Sequence, residues 1–408
     1  MFDFVLNPEF WKYLSIPVVA SIVGWGTNWV AIKLTFLPLE FVGIYRPWLG
    51  WQGIIPSKAR KMAAIGINST LSKLGSLREV FEQMEPDKIA HQIVKVITPR
   101  LDELTDDVIG QNHKALWENL PLTIRSRVYA RVHREFPRLI ENLIHDIGDN
   151  IEDLIDLHDM IISHLSQNKA LLNRIFIECG RDEFRFIIRS GWYLGCAFGL
   201  IQMGVWAIYQ GWWVLPFFGF LVGCATNWIA LNIIFRPLYP VDFGPCTLQG
   251  IFVKRQKQVA EVYSRLVTHE IITIHHIANA MLNGPKSPRC RALIKRHLKP
   301  IVDESVGMAK LVVQGAVGLK SFEGIKEHVG ETALEVSIAP FDDPIFNRDR
   351  ADIIQKLMRE RMEQLPAEDF VELLRPCFQE DEWKLVILGG ALGFLAGLTQ
   401  LFAIFGGM

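Results

Sequence analysis

None of the six cysteines, Cys179, Cys196, Cys224, Cys246, Cys290 and Cys377, stands in Cys-x-x-Cys spacing, so neither a zinc ribbon nor a disulfide framework is legible. An excess of either charge is also missing. The net charge of −1 removes the broad basic surface on which nucleic-acid binding rests, so no nucleic-acid partner is expected. There is no Walker loop, no Gly-x-Gly-x-x-Gly, no Gly-x-Ser-x-Gly and no paired Cys/His nucleophile, which argues against an enzyme and against a bound cofactor. The first residues lack the basic segment and small-residue cleavage site of a secretory signal. Met1 to Lys12 reads instead as a short lead into a retained span.

What the chain has in abundance is apolar length. Half of its 408 residues are hydrophobic, and the mean hydropathy is +0.20, values of a membrane protein with sizeable aqueous parts. Crossing a bilayer takes about 20 apolar residues. Four stretches qualify: Tyr13 to Phe36, Gly191 to Tyr209, Trp212 to Phe235 and Leu385 to Phe405. Only Gln210 and Gly211 separate the second from the third, which predicts a tight helical hairpin. The large polar segments then share the opposite side.

Cations gather at the span ends facing those segments: Lys58, Arg60 and Lys61, then Arg181, Arg185 and Arg189, then Arg236, Lys254, Arg255 and Lys257, and Lys384. The hairpin turn and Gly406, Gly407 and Met408 carry none. By the positive-inside rule the polar segments are cytoplasmic and both termini are outside. Lys33, near the cytoplasmic end of its span, can snorkel to the interface, and its counterpart is Asn232.

The strongest pattern is self-similarity. Val23 to Leu39 returns as Val222 to Leu238, with Thr27-Asn28-Trp29 matched by Thr226-Asn227-Trp228 at an offset of 199 residues. Gln52 to Lys58 matches Gln249 to Arg255, with two residues fewer before it in the second copy. Asp182-Glu183-Phe184 matches Asp381-Glu382-Trp383. Each of those triplets leads into a span with glycine at every fourth position, Gly191, Gly195 and Gly199 in one, Gly389, Gly393 and Gly397 in the other, followed by Gln202 or Gln400. The expected fold is therefore all-α, with four transmembrane helices and two helical cytoplasmic regions, built as a parallel tandem duplication. Repeat one is 1–210, with a span at about 13–36, an interfacial loop 38–56, cytoplasmic helices 57–190 and a span at about 191–209. Repeat two is 211–408, with a span at about 212–235, a loop 237–253, helices 254–384 and a span at about 385–405. Two crossings per repeat give parallel copies, unlike the inverted repeats of many transporters.

In the first cytoplasmic region Ile89, Ile93, Val96 and Ile97 share a helical face, as do Leu101, Leu104 and Val108. Ile140, Ile144, Ile147, Ile151, Leu154, His158, Ile161 and Leu165 alternate spacings of four and three, the signature of a heptad seam. Acidic residues flank it: Glu141, Asp146, Asp149, Glu152, Asp153, Asp156 and Asp159. Arg127, Arg131, Arg134 and Arg138 precede it on one stripe, which suggests an antiparallel helix pair with complementary charge. The second region has Gly284-Pro285 and Ser287-Pro288 as breakers, and a basic cluster from Arg289 to Lys299. An apolar stretch with Gly307, Gly315 and Gly318 follows, expected as a buried element of the domain in preference to an amphipathic segment on the membrane.

Several residues carry possible chemistry. A buried Asn in a span is costly unless partnered. Thr27, Asn28, Trp29, Thr226, Asn227 and Trp228 could form a pseudo-symmetric polar site for an ion, headgroup or solute, or each Asn could fix packing by bonding another helix. The glycine stripes read as packing faces, within the chain or in a homo-oligomer, with a glycine-lined pore as the sharper alternative. Tyr45, Trp48, Trp51, Tyr239 and Phe243 suit interfacial loops. Lys58, Arg60, Lys254 and Arg255 behind them could face anionic headgroups, making membrane lipids the expected partner. His269, Glu270, His275 and His276 lack the His-Glu-x-x-His spacing that puts two ligands on one helical face, so no metal site is expected.

The order Thr-Asn-Trp-x-Ala, Phe-x-Pro-Leu, Gln-Gly-Ile before a basic helix, and Asp-Glu-Trp before a glycine-striped span resembles the YheB/YjiN-type family of bacterial membrane proteins across nearly the whole chain. The resemblance implies a bacterial inner-membrane location and this layout, and supplies no activity. The copies differ where Leu37 faces Arg236 and where Pro56-Ser57 faces Val253-Lys254. The expectation is a non-enzymatic membrane scaffold or lipid-handling protein, since more of the chain is cytoplasmic helix than span. The alternative is a small-solute or ion transporter using the Thr-Asn-Trp motifs.

Overall fold

The computed structural model describes residues 8–45, 49–107, 117, 121–243, 246–306, 339–373, 375 and 382–406. Trp48, Val108, Gly307, Gly315, Gly318 and Asp381, to which the sequence assigns roles, lie outside them. The chain divides into two compact units. One comprises Met1–Thr70, Ile162–Tyr263 and Arg359–Met408, and the other Leu71–Ile161 and Ser264–Met358.

Among the described residues, four helices of the first unit are long and apolar enough to cross a membrane: α1 (Pro8–Phe36), α2 (Arg181–Ile208), α3 (Val214–Phe235) and α4 (Glu382–Ala403). They match the four expected spans. The main difference is that α2 begins ten residues before Gly191, so its first three turns carry Asp182, Glu183 and Arg185 as one continuous helix.

Glycine is a poor helix former in water, yet here it lets backbones touch. A Cβ at Gly191 would overlap the carbonyl of Gly24, one at Gly195 the carbonyl of Ala20, and one at Gly199 would lie 2.6 Å from Pro17 Cα. The partner residues fall as the glycine numbers rise, so α1 and α2 are antiparallel. Helices α3 and α4 pack the same way, with Gly389 against Gly223, Gly393 against Gly219, and Gly397 set so that a Cβ would lie 2.8 Å from Pro216 Cα.

One end of this bundle is closed by Ile16, Trp206, Val214, Leu215, Leu401 and Phe405, drawn from all four helices. The opposite end gathers Ala31, Ile54 and Leu385, with Leu231 packed on them. Exposed aromatics ring both levels, Trp11, Tyr209, Trp212 and Trp213 at the first and Trp29, Trp228 and Trp383 at the second. Along α1, Trp11 and Trp29 are separated by about 27 Å at 1.5 Å per residue, close to the ~30 Å of a hydrocarbon core.

After α1 and again after α3, where the sequence suggested an interfacial loop, the chain forms a short antiparallel ribbon. Strands β1 (Val42–Tyr45) and β2 (Leu49–Trp51) pair Val42 with Trp51 and Gly43 with Gly50. Strands β3 (Val241–Phe243) and β4 (Cys246–Leu248) pair Val241 with Leu248 and Asp242 with Thr247.

The second unit is helical among its described residues. Helix Pro86–Ile97 buries Ile89, Ile93 and Ile97. Helix Leu122–Asp149 buries Leu139, Ile140, Leu143, Ile144 and Ile147. Ser76 and Thr273 cap the helices that follow them, accepting from the Glu79 and His276 amides at 3.2 and 3.1 Å. Glu85 adopts φ 55°, and its carboxylate meets the buried guanidinium of Arg350, which also donates to the Met84 carbonyl.

Two expectations for this region are corrected. The seam from Ile140 to Leu165 is not one continuous helix: Leu122–Asp149 ends at Asn150, a four-residue turn Ile151–Leu154 follows, and Ile155 is extended before helix Leu157–Gln167. The apolar members stay buried while His158 is exposed. The arginine stripe and the start of the acidic run also lie on one helix, so they cannot form an antiparallel pair with each other. The acidic run is met from elsewhere. Asp146 accepts from Arg296 and from His297 at 2.8 Å, Asp153 faces Arg289 at 3.5 Å, Asp149 faces Arg78 at 2.7 Å, and Lys286 donates to the Glu152 carbonyl at 2.7 Å.

Candidate functional site

The Thr-Asn-Trp motif splits by helical direction. Thr27 and Asn28 are buried while Trp29 is exposed, and Thr226, Asn227 and Trp228 divide the same way. Each threonine returns its hydroxyl to its own helix, Thr27 to the Gly24 carbonyl at 3.2 Å and Thr226 to that of Gly223 at 3.3 Å. Each asparagine reaches across. Asn28 Nδ2 donates to the Ile187 carbonyl at 2.6 Å, and Asn227 Nδ2 to the Leu385 carbonyl at 2.8 Å.

These two bonds belong to different helix pairs, Asn28 joining α1 to α2 and Asn227 joining α3 to α4. The glycines make them possible, because the amides occupy the space a Cβ on Gly191 or Gly389 would need. One polar atom per motif is left over: Asn28 Oδ1 and Asn227 Oδ1 are both buried without a hydrogen-bond partner. Such an atom in an apolar site is costly. Lys33 lies 5.8 Å over the Trp29 ring and Lys384 5.7 Å over Trp383, two cations resting on exposed interfacial aromatics.

Around the ribbons the sequence repeat becomes a repeat of contacts. Gln52 Nε2 donates to the Leu39 carbonyl at 2.7 Å, and Gln249 Nε2 to that of Leu238 at 3.1 Å. The Gly53 and Gly250 amides donate to the Pro38 and Pro237 carbonyls at 3.0 and 2.8 Å. Gly53 has no room for a Cβ, which would lie 2.7 Å from the Phe36 backbone, and Gly250 is likewise pressed on Phe235. Each ribbon is thereby folded back onto the end of its span.

Sequence reasoning missed three kinds of pairing in this unit. Lys169 binds the Glu40 carboxylate at 2.9 and 3.0 Å, and 199 positions later the Tyr239 hydroxyl donates to Glu368 at 2.5 Å. The repeat offset relates both members of these latches, so it could have disclosed them. Sharing the proton with Glu368 pushes the Tyr239 phenol above its ordinary value and holds the Glu368 carboxyl below its own. Asn173 Nδ2 caps the last carbonyl of α1, at Phe36, at 2.6 Å. The third pairing is ionic. Arg255 clasps Glu183 through Nη1 at 2.8 and 2.7 Å, and Asp182 through Nη2 at 3.0 Å, with Glu183 almost wholly buried.

Of the four cations expected at headgroups, Arg255 is thus occupied by this clasp, and Lys254 donates to the Thr247 carbonyl at 3.3 Å. Lys58 is half-buried and Arg60 exposed. The histidines do not converge: His269 meets Gln355 and Asp352, each at 3.1 Å, His275 meets Asp342 at 3.2 Å, and His276 Nδ1 approaches the Ile271 carbonyl at 2.9 Å. Cys290 is buried, which pushes its thiol up to about 11 and leaves it protonated at neutral pH.

A stretch of 124 residues is 27% identical to a UPF0754 membrane protein of Shouchella clausii, covering 26% of this chain and 33% of that protein. With four apolar spans already in view, that similarity decides the general class. The chain is a multi-pass membrane protein. It spans about a third of that bacterial relative, whose description names no activity. No family model and no solved structure matches.

Proposed function

We propose that this membrane protein is a non-enzymatic scaffold or lipid-handling platform. Its spans are two glycine-packed antiparallel pairs, and its other helical regions are cytoplasmic in a bacterial inner membrane, with both termini outside. The observation that carries this reading is the use made of the asparagines: each spends its amide N–H on a carbonyl of its own helix pair. That is how polar side chains knit helices in lipid. The matching hydrogen bonds at offsets of 197 to 199 favour a parallel duplication and placement with the YheB/YjiN-type proteins. Surplus small residues on the spans leave room for association with a second copy.

Ion or solute transport is the second reading, favoured by the two buried, unpartnered Oδ1 atoms. Reconstituting the full chain and its Asn28→Leu/Asn227→Leu variant into liposomes separates the two. The scaffold reading expects no tracer flux from either protein, together with a constant set of phospholipids and proteins retained from native membranes by both. Flux by the parent chain that the double variant abolishes would overturn it.

A further inference from the structure

We propose that ribbon β1–β2 is a membrane-boundary wedge, seated among phospholipid headgroups and the first acyl carbons, and that ribbon β3–β4 is not. The inference rests only on the chain being a membrane protein and stands whichever functional reading holds. Ribbon β1–β2 presents apolar side chains on both faces, with Ile44 94%, Tyr45 66%, Val42 65% and Leu49 63% exposed. A two-stranded ribbon has no core to bury them in, and one this short is marginal in water.

The occupant follows from where the ribbon is fastened. Trp51 Nε1 donates to the Leu34 carbonyl at 3.1 Å, in the last turn of α1. The base of the ribbon therefore lies at the level where the span ends, one turn from the exposed Trp29 and the cation resting on it. Between the span and the ribbon Leu37 is also exposed, so apolar surface is present on both sides of the span's end. Depth is limited by the open strand edges, whose unpaired N–H and C=O groups are not tolerated in hydrocarbon but are satisfied by water and headgroups at the boundary. The second ribbon offers the contrast. Where the first pairs Gly43 with Gly50, it pairs Asp242 with Thr247, both exposed, and a carboxylate among anionic headgroups is repelled.

Placing benzoylphenylalanine at Ile44 or at Asp242 in the otherwise native chain, irradiating native membranes and weighing the product tests this. The same probe at Leu200, exposed in the middle of α2, serves as the lipid-facing reference. The wedge predicts a phospholipid adduct at position 44 approaching the yield at 200 and several times that at 242. A polypeptide adduct at 44 in place of lipid, no adduct there, or equal yields at 44 and 242 would each overturn it.

Discussion

The two halves of the membrane unit make the same contacts with different chemistry. The first ribbon is latched by an ammonium on a carboxylate, Lys169 with Glu40, and the second by a phenol on a carboxylate, Tyr239 with Glu368. The helix pairs, by contrast, are copied almost atom for atom, asparagine to carbonyl and glycine to glycine. Close backbone packing in lipid tolerates few substitutes, whereas a latch in water needs only two groups that attract. Lys58 and Arg255 stand at matching places in the repeat, and holding Glu183 through Nη1 while Nη2 holds Asp182 uses the fork of the guanidinium.

That contrast can be broken most violently at the clasp. Replacing Arg255→Met leaves Glu183 buried and uncompensated, at a cost of about 3–5 kcal/mol, whereas Lys254→Met, one residue away and exposed, should stay within ~0.5 kcal/mol. Thermal unfolding of the two variants in nanodiscs reads the difference. Next come the glycines. Gly191→Ala and Gly389→Ala each force a Cβ onto a backbone carbonyl and should cost about 1–3 kcal/mol apiece, while Gly204→Ala, with nothing within 4 Å, should be silent. Because the two glycines serve separate helix pairs, the double variant should be additive.

Asn28→Leu and Asn227→Leu should cost less and equally, about 0.6 kcal/mol and at most ~1.7 kcal/mol each. Unequal losses in denaturant titration would show that the two amides do different work. The smallest effect concerns the latches. Glu368 has a depressed carboxyl, so its bond contributes at neutral pH and is lost as pH falls through and below the ordinary 4.5. Tyr239 has a raised phenol, so the same bond is lost again as pH climbs past 10.0. Added salt should loosen Lys169–Glu40 more than Tyr239–Glu368, which proteolysis within each ribbon would detect.

What could be read from the residues followed physical range. The spans were legible because bilayer thickness writes itself as apolar length, and the stripe Gly191, Gly195, Gly199 because helices repeat every 3.6 residues. Periodicity locates a face but not its break, so nothing in the spacing of Ile147, Ile151 and Leu154 reported that the helix stops at Asn150. Nor could local pattern name partners far along the chain. The acidic Asp146 is answered by Arg296 and His297 and not by the nearer arginines, and Arg255 finds Glu183 across 72 positions. At the motif itself, the sequence posed packing against binding, and the split of Thr27 and Asn28 inward from Trp29 outward needed the helix to be seen.

The asparagine bonds also set a clock. Asn28 waits for a carbonyl 159 residues ahead of it, and Asn227 for one 158 ahead. At a synthesis rate of about 5–20 residues per second, roughly 8–30 s pass before the acceptor exists. Throughout that interval the ribosome is making the polar region between the two spans, and the first span stands in the membrane with its amide unanswered. Biogenesis thus carries two vulnerable pauses per molecule, during which α1 or α3 depends on the insertion machinery or on borrowed partners until its own mate arrives.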